Sequence, residues 1–284
     1  MFTLKIENAN GQIFELTHNT QNYAIIGVQG LTYPPTAVNT STGGAVDGTF
    51  HNSSRVEQRN IVIDIVINGD IETNRQQLYR IFNIKKPCTI YFSNKNRNVQ
   101  IVGYVEVLDG DLFVQREQVQ ISIICPRPYF EDLETIYTEL SQIVRMFQFP
   151  FSIETTTPIP FSEILDYPLC TVNNGGDVDA GVIMTVAIND VVTDLKIYNV
   201  TTQQYLGFDY AFQQGDELTI NTISGQMKTS LRRNGQIINI LNYLSAGSTW
   251  FKLPPGGNDF TFTATEGADA ITIMFATAAL YGGV

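Results

Sequence analysis

The sequence predicts a mainly β protein with two domains. Its 284 residues fit just under two domains at roughly 150 residues each. Only 16% of the residues are charged, against about 25% in ordinary soluble proteins. Neutral polar residues, 22 Gly, 13 Tyr and 17 Phe replace the missing charge, a composition that suits pleated, half-buried strands better than helices. Short apolar runs separated by turn residues support the same fold class.

Residues 1–125 predict a β-sheet accompanied by one helix. Residues 2–7 and 12–17 alternate apolar and polar side chains around Asn10-Gly11, which is a strong hairpin signal. The helix is predicted over residues 71–84, where apolar residues recur at helical spacing. The remaining strands of this part are predicted over residues 61–67, 88–92, 98–108 and 112–125.

Residues 34–60 form a long polar segment with few apolar anchors. The segment contains Gly43-Gly44 and Asp47-Gly48, and it ends near Arg55 and Arg59. Such a segment is either disordered or an arm that becomes ordered on a partner. The residues alone leave both interpretations open.

The domain boundary is predicted at the proline-punctuated run of residues 125–130. Beyond it, the apolar residues from Leu133 to Phe147 lie on one helical stripe, which predicts a helix of about four turns ending before Pro150. The expected organisation is therefore a domain at 1–130, a linker with a helix at 131–160 and a β-sandwich domain at 161–284. The strands of the last part are predicted over residues 182–188, 195–198, 217–220, 226–231, 249–253, 260–264 and 271–275.

The charge distribution argues against a protein that grips nucleic acid. The net charge is −11, with 12 basic and 15 acidic residues before position 150 and 5 basic and 13 acidic residues after it. No basic run is present to bind phosphates, although nucleic acid could still pass along such a surface. No run of 18 apolar residues is present, and the strand-like start does not resemble a signal peptide, so we expect synthesis in a cytosol and no membrane contact.

The sequence offers little to catalysis, metals or cofactors. It has two histidines, His18 and His51, and no nucleophile elbow, phosphate loop or dinucleotide fingerprint. The cysteines, Cys88, Cys125 and Cys170, are widely spaced and are expected to be reduced core residues. We therefore expect no catalytic residue, no metal site and no cofactor.

Two close carboxylate pairs are the remaining candidates for chemistry. Asp177 with Asp179 and Asp216 with Glu217 could in principle serve a glycosidase. Each pair lies in a turn cluster, where aspartate more often stabilises the backbone. A structural role is the preferred interpretation of both pairs.

Trp250 is the only tryptophan and a candidate carbohydrate contact. An exposed indole can stack on a sugar ring, whereas a buried one fills the space between two sheets. Alternation places Trp250 and Lys252 on one face of the predicted strand, and Phe251 and Leu253 on the other. We prefer the core role for Trp250 and keep the sugar platform as the alternative.

Four stretches together resemble the distal tail proteins of long-tailed, non-contractile bacteriophages. They are residues 44–48 with Arg55, Arg59 and the strand 61–67; residues 99–106; residues 123–130; and residues 173–178 with 197–202, Trp250 and 253–258. Each stretch is weak alone, but their order and spacing across nearly the whole chain make the resemblance specific.

The resemblance implies an N-terminal β-sandwich or split-barrel ring domain with a helix, followed by a C-terminal galectin-like β-sandwich. It implies a homo-hexameric hub in the tail tip of the virion, assembled in the host cytoplasm, through which the tape-measure protein and DNA pass. Tail tube, tail-associated tip and receptor-binding proteins are the implied partners, and Asp47, Arg55 and Arg59 are candidates for an inter-subunit arm. A carbohydrate-binding module and a cell-wall hydrolase are the competing functions, although the second half lacks the histidine of galectin sugar sites.

Overall fold

A computed structural model describes residues 2–17, 21–44, 47–111, 114, 116–145, 162–164 and 168–284. The chain divides into two compact units. The first unit contains Met1–Leu133 together with Leu280–Val284, and the second contains Glu134–Ala279. The expected boundaries did not include the return of the chain's last segment to the first unit. No helix among the described residues has the length and hydropathy needed to cross a membrane.

The first unit consists of strands around one helix. Its elements are β1 (Thr3–Glu7), β2 (Ile13–Glu15), β3 (Tyr23–Gln29), β4 (Thr36–Ser41), β5 (Phe50–Val56), β6 (Arg59–Ile67), α1 (Ile71–Ile81), β7 (Pro87–Ser93), β8 (Asn98–Gly110), β9 (Gln118–Cys125) and the start of β10 (Phe130–Ser141). The predicted first hairpin is present, and Gly11 in its turn has a φ of 78°. The mainly β class and the first-unit helix are thereby confirmed.

Strand β8 joins the two halves of the first unit's sheet. Its N-terminal part pairs with β7, which continues through β1 to β2. Its C-terminal part pairs with β9, which continues through β6 to β3. A Cβ at Gly103 would lie 2.6 Å from a side-chain atom of Ile123 and 2.8 Å from Cys125 Sγ, so only glycine permits this close approach of two strands.

Helix α1 begins four residues after the end of β6, and Asp70 caps its N-terminus. The Asp70 carboxylate accepts hydrogen bonds from the backbone and the side chain of Thr73, which is the usual way to satisfy a free helical N–H group. These hydrogen bonds, the side-chain one first, lower the pKa of Asp70. The helix buries Leu78 and Ile81 against the strands and ends three residues before the predicted end.

The helix predicted over residues 133–147 is wrong for the described residues, because β10 is a strand over Phe130–Ser141. The apolar stripe does not mark a buried helix face: Leu133, Ile136 and Tyr137 are exposed, and Leu140 is buried. The run Thr135-Ile136-Tyr137-Thr138 is rich in β-branched and aromatic residues, and this preference prevails over a coincidental helical spacing. Residues 146–160 of the predicted linker lie outside the described residues.

The second unit is a β-sandwich. Its further strands are β11 (Ile143–Arg145), β12 (Ser162–Ile164), β13 (Cys170–Asn174), β14 (Ile183–Ile188), β15 (Val192–Thr193), β16 (Lys196–Asn199), β17 (Gln204–Gly207), β18 (Ala211–Phe212), β19 (Glu217–Asn221), β20 (Lys228–Arg233), β21 (Gln236–Ile238), β22 (Gly256–Thr263) and β23 (Ile271–Tyr281). Short 3-10 helices occur at Leu241–Tyr243 and Ala268–Ala270. The strand predicted over residues 249–253 is absent as such, and only Leu253 forms an isolated bridge with Ala180.

Two sheets enclose the core of the second unit. One sheet has the order β23-β14-β19-β20-β21, and the other has the order β13-β22-β16-β17. Residues of both sheets form one buried cluster, to which Val186 and Phe275 contribute from the first sheet, and Ile197 and Phe260 from the second. Alternation of inward apolar and outward polar residues builds this core.

The reactivity of the cysteines tests the core of the first unit. Cys88 and Cys125 are buried free thiols, and burial raises the pKa of Cys88 to about 11 and that of Cys125 to about 12. Because the thiolate is the reactive form, we expect both to resist iodoacetamide at pH 8 until the first unit is unfolded. Burial raises the pKa of Cys170 to about 11 as well, but its thiol is only half-buried, so we expect its greater accessibility to make it react first. Peptide mapping that finds Cys88 or Cys125 labelled as fast as Cys170 in the native protein would contradict the buried placement.

Candidate functional site

Strands β4 and β5 form a hairpin that packs little against its own chain. We call residues 36–56 the hairpin. Nearly all its described side chains are exposed, including Val38 (57% exposed) and Phe50 (58%). Among the described strands, these two pair only with each other, from Thr36 opposite Val56 to Ser41 opposite Phe50. An isolated two-stranded hairpin is marginally stable in water, so this one is suited to pack against another surface.

Two of the three predicted arm residues belong to the hairpin. Asp47 is exposed in the connection between its strands. Arg55 is on β5, and its side chain is 80% exposed and lies 4.0 Å from Glu57. Such an exposed ion pair holds the arginine weakly. Both residues are therefore accessible to a partner.

Arg59 does not belong to the hairpin, and its assignment to an inter-subunit arm is wrong. It opens β6, is 1% exposed, and uses its guanidinium entirely within the first unit. Nε donates to the carbonyl of Pro128 (2.7 Å), Nη1 to those of Gly30 and Thr32 (2.5 Å each), and Nη2 to that of Gly282 (2.7 Å). The guanidinium also lies 4.4 Å from the centre of the Phe130 ring.

The Arg59 contacts fix the base of the hairpin. Gly30 and Thr32 precede the hairpin and Arg59 follows it, so one side chain ties both ends together. The backbone N–H of Glu57 also donates to the carbonyl of Pro35 (2.9 Å). Burial lowers the pKa of Arg59, but arginine keeps its charge because its normal pKa is above 12. The hairpin is thus exposed along its length and anchored at its base.

The last segment of the chain completes this anchor. Its contribution was not predicted from the sequence. The N–H of Val284 donates to the carbonyl of Leu31 (3.1 Å), and Arg97 donates to the carbonyl of Gly283. The guanidinium of Arg97 lies 4.3 Å from the centre of the Tyr281 ring.

In the second unit, the carboxylates of one predicted pair are engaged in ion pairs. Asp216 is 2% exposed and accepts two hydrogen bonds from Arg233 and one from the backbone of Gln213. Burial alone would raise the pKa of Asp216, but the hydrogen bonds and the charge of Arg233 outweigh it and lower the pKa. Glu217 lies 2.5 Å from Arg232. These contacts support the structural interpretation of the pair.

The other pair, Asp177 and Asp179, lies exposed in the loop after β13. Asn174 arranges this loop, because its side-chain amide donates to the carbonyls of Val178 (3.0 Å) and Leu253 (2.8 Å). This is the backbone-stabilising pattern expected of a polar turn cluster.

Trp250 lies in the loop before β22 and is half-buried against the core of the second unit. The interior position belongs to its neighbour Phe251, which is 1% exposed and has its ring centre 5.5 Å from that of Phe260. Leu253 is buried and Lys252 is exposed, as the alternation predicts. Trp250 therefore combines a packing contact with an accessible surface.

Two phage tail families match the chain, one in each half. The family described as a phage tail protein RIFT-related domain matches residues 3–125. The family described as the C-terminal domain of a siphovirus-type tail component matches residues 175–278. The chain belongs to the distal tail protein family of siphoviruses. The resemblance predicted from four short stretches is thereby confirmed.

Solved structures show the same fold along almost the whole chain. The Dit protein (gp 19.1) of phage SPP1 has 16% sequence identity and a TM-score of 0.69, with 98% of each chain covered. A chain of the phage P2 baseplate in its activated conformation with Ca has 11% identity and a TM-score of 0.52, again with 98% of each chain covered. No curated protein sequence matches the chain.

As a member of this family, the chain is a structural component of a bacteriophage tail and is located at the tail tip of the virion. Its N-terminal domain and its C-terminal β-sandwich follow the distal tail protein fold. The exposed hairpin and the β-sandwich of the second unit are therefore candidate surfaces for assembly.

Proposed function

We propose that the chain is the ring-forming hub of the tail tip. Six copies close into a ring through the first domain, residues 1–130, and the ring joins the tail tube to the host-adsorption apparatus. The observation that carries this proposal is the hairpin, on which Val38 and Phe50 are left exposed by the described part of the chain. A homo-hexamer gives each hairpin an identical neighbour on which to pack.

The charge balance supports a passage for DNA through the ring. With a net charge of −11, each copy lacks the surplus of lysine and arginine that retains phosphates. The tape-measure protein would occupy the same channel before DNA passes. The tail tube and the tail-associated tip protein would bind the two faces of the ring.

The second domain, residues 161–284, serves in this proposal as a galectin-like docking platform for receptor-binding or other tip proteins. The part of the chain beyond residue 150 carries a net charge of −8, which can steer a basic partner. The chain catalyses no reaction in this proposal, because the described carboxylates Asp216 and Glu217 are held by Arg233 and Arg232. Partly accessible Trp250 favours one alternative, a module that binds host cell-wall glycans.

Removing the hairpin is expected to abolish the ring while preserving both units. Because Pro35 and Glu57 already meet at its base, residues 36–56 can be replaced by two glycines without stretching the chain. Native mass spectrometry and light scattering should show multiples of 31.7 kDa up to six for the wild type and the monomer for the deletion variant.

The matched control is Ile237→Ser, which removes a comparably exposed apolar side chain from the second unit (77% exposed). We expect it to leave the ring mass unchanged, whereas Val38→Ser with Phe50→Ser should weaken the ring. A wild-type chain that stays monomeric at high concentration and in tail particles would contradict the proposal, as would a deletion variant that keeps the full ring.

A further inference from the structure

One face of the hairpin carries both a cation and a large apolar side chain. The register places Ala37 opposite Arg55 and, beyond the bulge after Asn39, Ser41 opposite Phe50. Directly paired residues share a face, and alternate residues of β4 lie on the same side. Arg55 and Phe50 therefore point to the same side, about 15 Å apart along the strand. Arg55 is the only charged residue, His aside, within the two paired strands.

Elsewhere on the first unit, a groove of about 390 Å³ presents carboxylates and apolar side chains, which complement the cation and the apolar side chain of the hairpin. It is lined by Ile26, Asp64, Ile65, Asp109, Gly110, Asp111, Gln118, Val119 and Gln120. None of these described lining residues is basic. Ile26 is 57% exposed because a β-bulge in β3 turns it out of the sheet.

We propose that the hairpin of one copy docks in this groove of the next copy, with Arg55 facing Asp64, Asp109 and Asp111 and with Phe50 packing on Ile26. This inference rests on the proposed ring, and it identifies the groove as the surface of the neighbouring copy that binds the hairpin. The occupant is a second copy of the same chain.

Charge complementarity favours this occupant. The groove gathers three carboxylates, and the one charge on the paired strands of the hairpin is positive. Among the residues that the structure describes, Arg55 has one ion-pair contact, at 4.0 Å from exposed Glu57, which stabilises little. Exchanging this contact for several carboxylates in a partly enclosed groove is favourable, because Coulomb attraction increases as solvent is excluded.

The proposed contact joins two different surfaces, the hairpin of one copy and the groove of another. The hairpin leaves the unit beyond Gln29 and Asn60, and the groove lies beside Ile26 and Asp64. When each copy engages two different neighbours in this way, the contact is heterologous and closes into a ring if the rotation permits, whereas reciprocal docking of two copies would give a dimer. The hairpin is exposed in the single chain, so its own groove does not hold it.

Charge reversal in the full chain tests the contact. Arg55→Glu and Asp109→Lys, each alone, should raise the protein concentration at which half the chains are in the ring by about tenfold or more. Combining both substitutions in one chain should restore most of the assembly. The matched controls are Arg80→Glu on α1 and Asp190→Lys in the second unit, both at exposed positions, and neither should shift the midpoint.

Cross-linking tests the geometry independently. A chain with Ala37→Cys, which lies opposite Arg55 and leaves the arginine in place, and Gln120→Cys should give an oxidised ladder that ends at the ring size, whereas Arg80→Cys with Gln120→Cys should give none. If the wild type forms the ring but charge reversal and cross-linking have no effect, this contact is wrong and the ring stands. If the wild type remains monomeric in solution and in tail particles, the proposed function itself fails.

Discussion

Replacing Arg59 with alanine is expected to be among the most destabilising single substitutions in the first unit. Four carbonyls would lose their charged donor, those of Gly30, Thr32, Pro128 and Gly282. Each buried carbonyl left without a partner costs about 1–3 kcal/mol. We expect a loss of about 3 kcal/mol or more from the free energy of unfolding of the first unit.

Hydrogen exchange of β6 under denaturant measures this loss, and fluorescence of Trp250 provides the second-unit reference, because it is the only tryptophan. Arg59→Lys should recover part of the stability, since an ammonium keeps the charge but lacks the planar fork of donors. Arg80→Ala, at an exposed helix position, should change the free energy of unfolding by less than about 0.5 kcal/mol. An Arg59→Ala variant as stable as Arg80→Ala would refute the anchoring role.

The second large effect is expected at Phe251. Phe251→Ala should remove about 3–5 kcal/mol from the free energy of unfolding of the second unit, because it leaves a cavity between the two sheets. Its neighbour Trp250 is half-buried, so Trp250→Ala should cost only about 1–2 kcal/mol. Urea denaturation followed by circular dichroism compares the two variants without relying on the tryptophan signal.

Calorimetry of the same variants with host cell-wall glycan distinguishes the two proposed roles of the second domain, a docking platform and a glycan-binding module. In our proposal the wild type binds no glycan, and Trp250→Ala changes stability alone. Measurable glycan affinity that Trp250→Ala abolishes, with folding intact, would establish the carbohydrate-binding alternative instead. Lys252→Ala is the matched control, because it alters the exposed neighbour of Trp250 on the same predicted face.

The elements that the sequence predicts well are those whose signals are local. Asn10-Gly11 encodes a turn, and the helical spacing of the apolar residues after Asp70 predicts a helix that the structure places at Ile71–Ile81. The alternation around Trp250 correctly separated Phe251 and Leu253 from Lys252, even though the backbone there is not a strand. In each case the deciding interactions join residues that are close in the chain.

The role of Arg59 could not be predicted, because its partners are distant in sequence. One of its hydrogen bonds joins residues 223 positions apart, and no periodicity reports such a contact. The polar run before it left disorder and a partner-binding arm open, and a single arginine at its end carries no sign of burial. The helix prediction over residues 133–147 is wrong for a different reason. The spacing of its apolar residues fits helices and strands alike, and the β-branched residues in the run favour a strand.

The division of the first unit across the chain has a consequence for its biosynthesis. A ribosome adds residues from the N-terminus onward, so the whole second unit is made before Leu280–Val284 emerges. Until then, Arg59 lacks the carbonyl of Gly282 and the base of the hairpin is incompletely held. Nascent or prematurely terminated chains would therefore present a hairpin with an incomplete base, and only chains translated past the second unit would be competent to join the proposed ring.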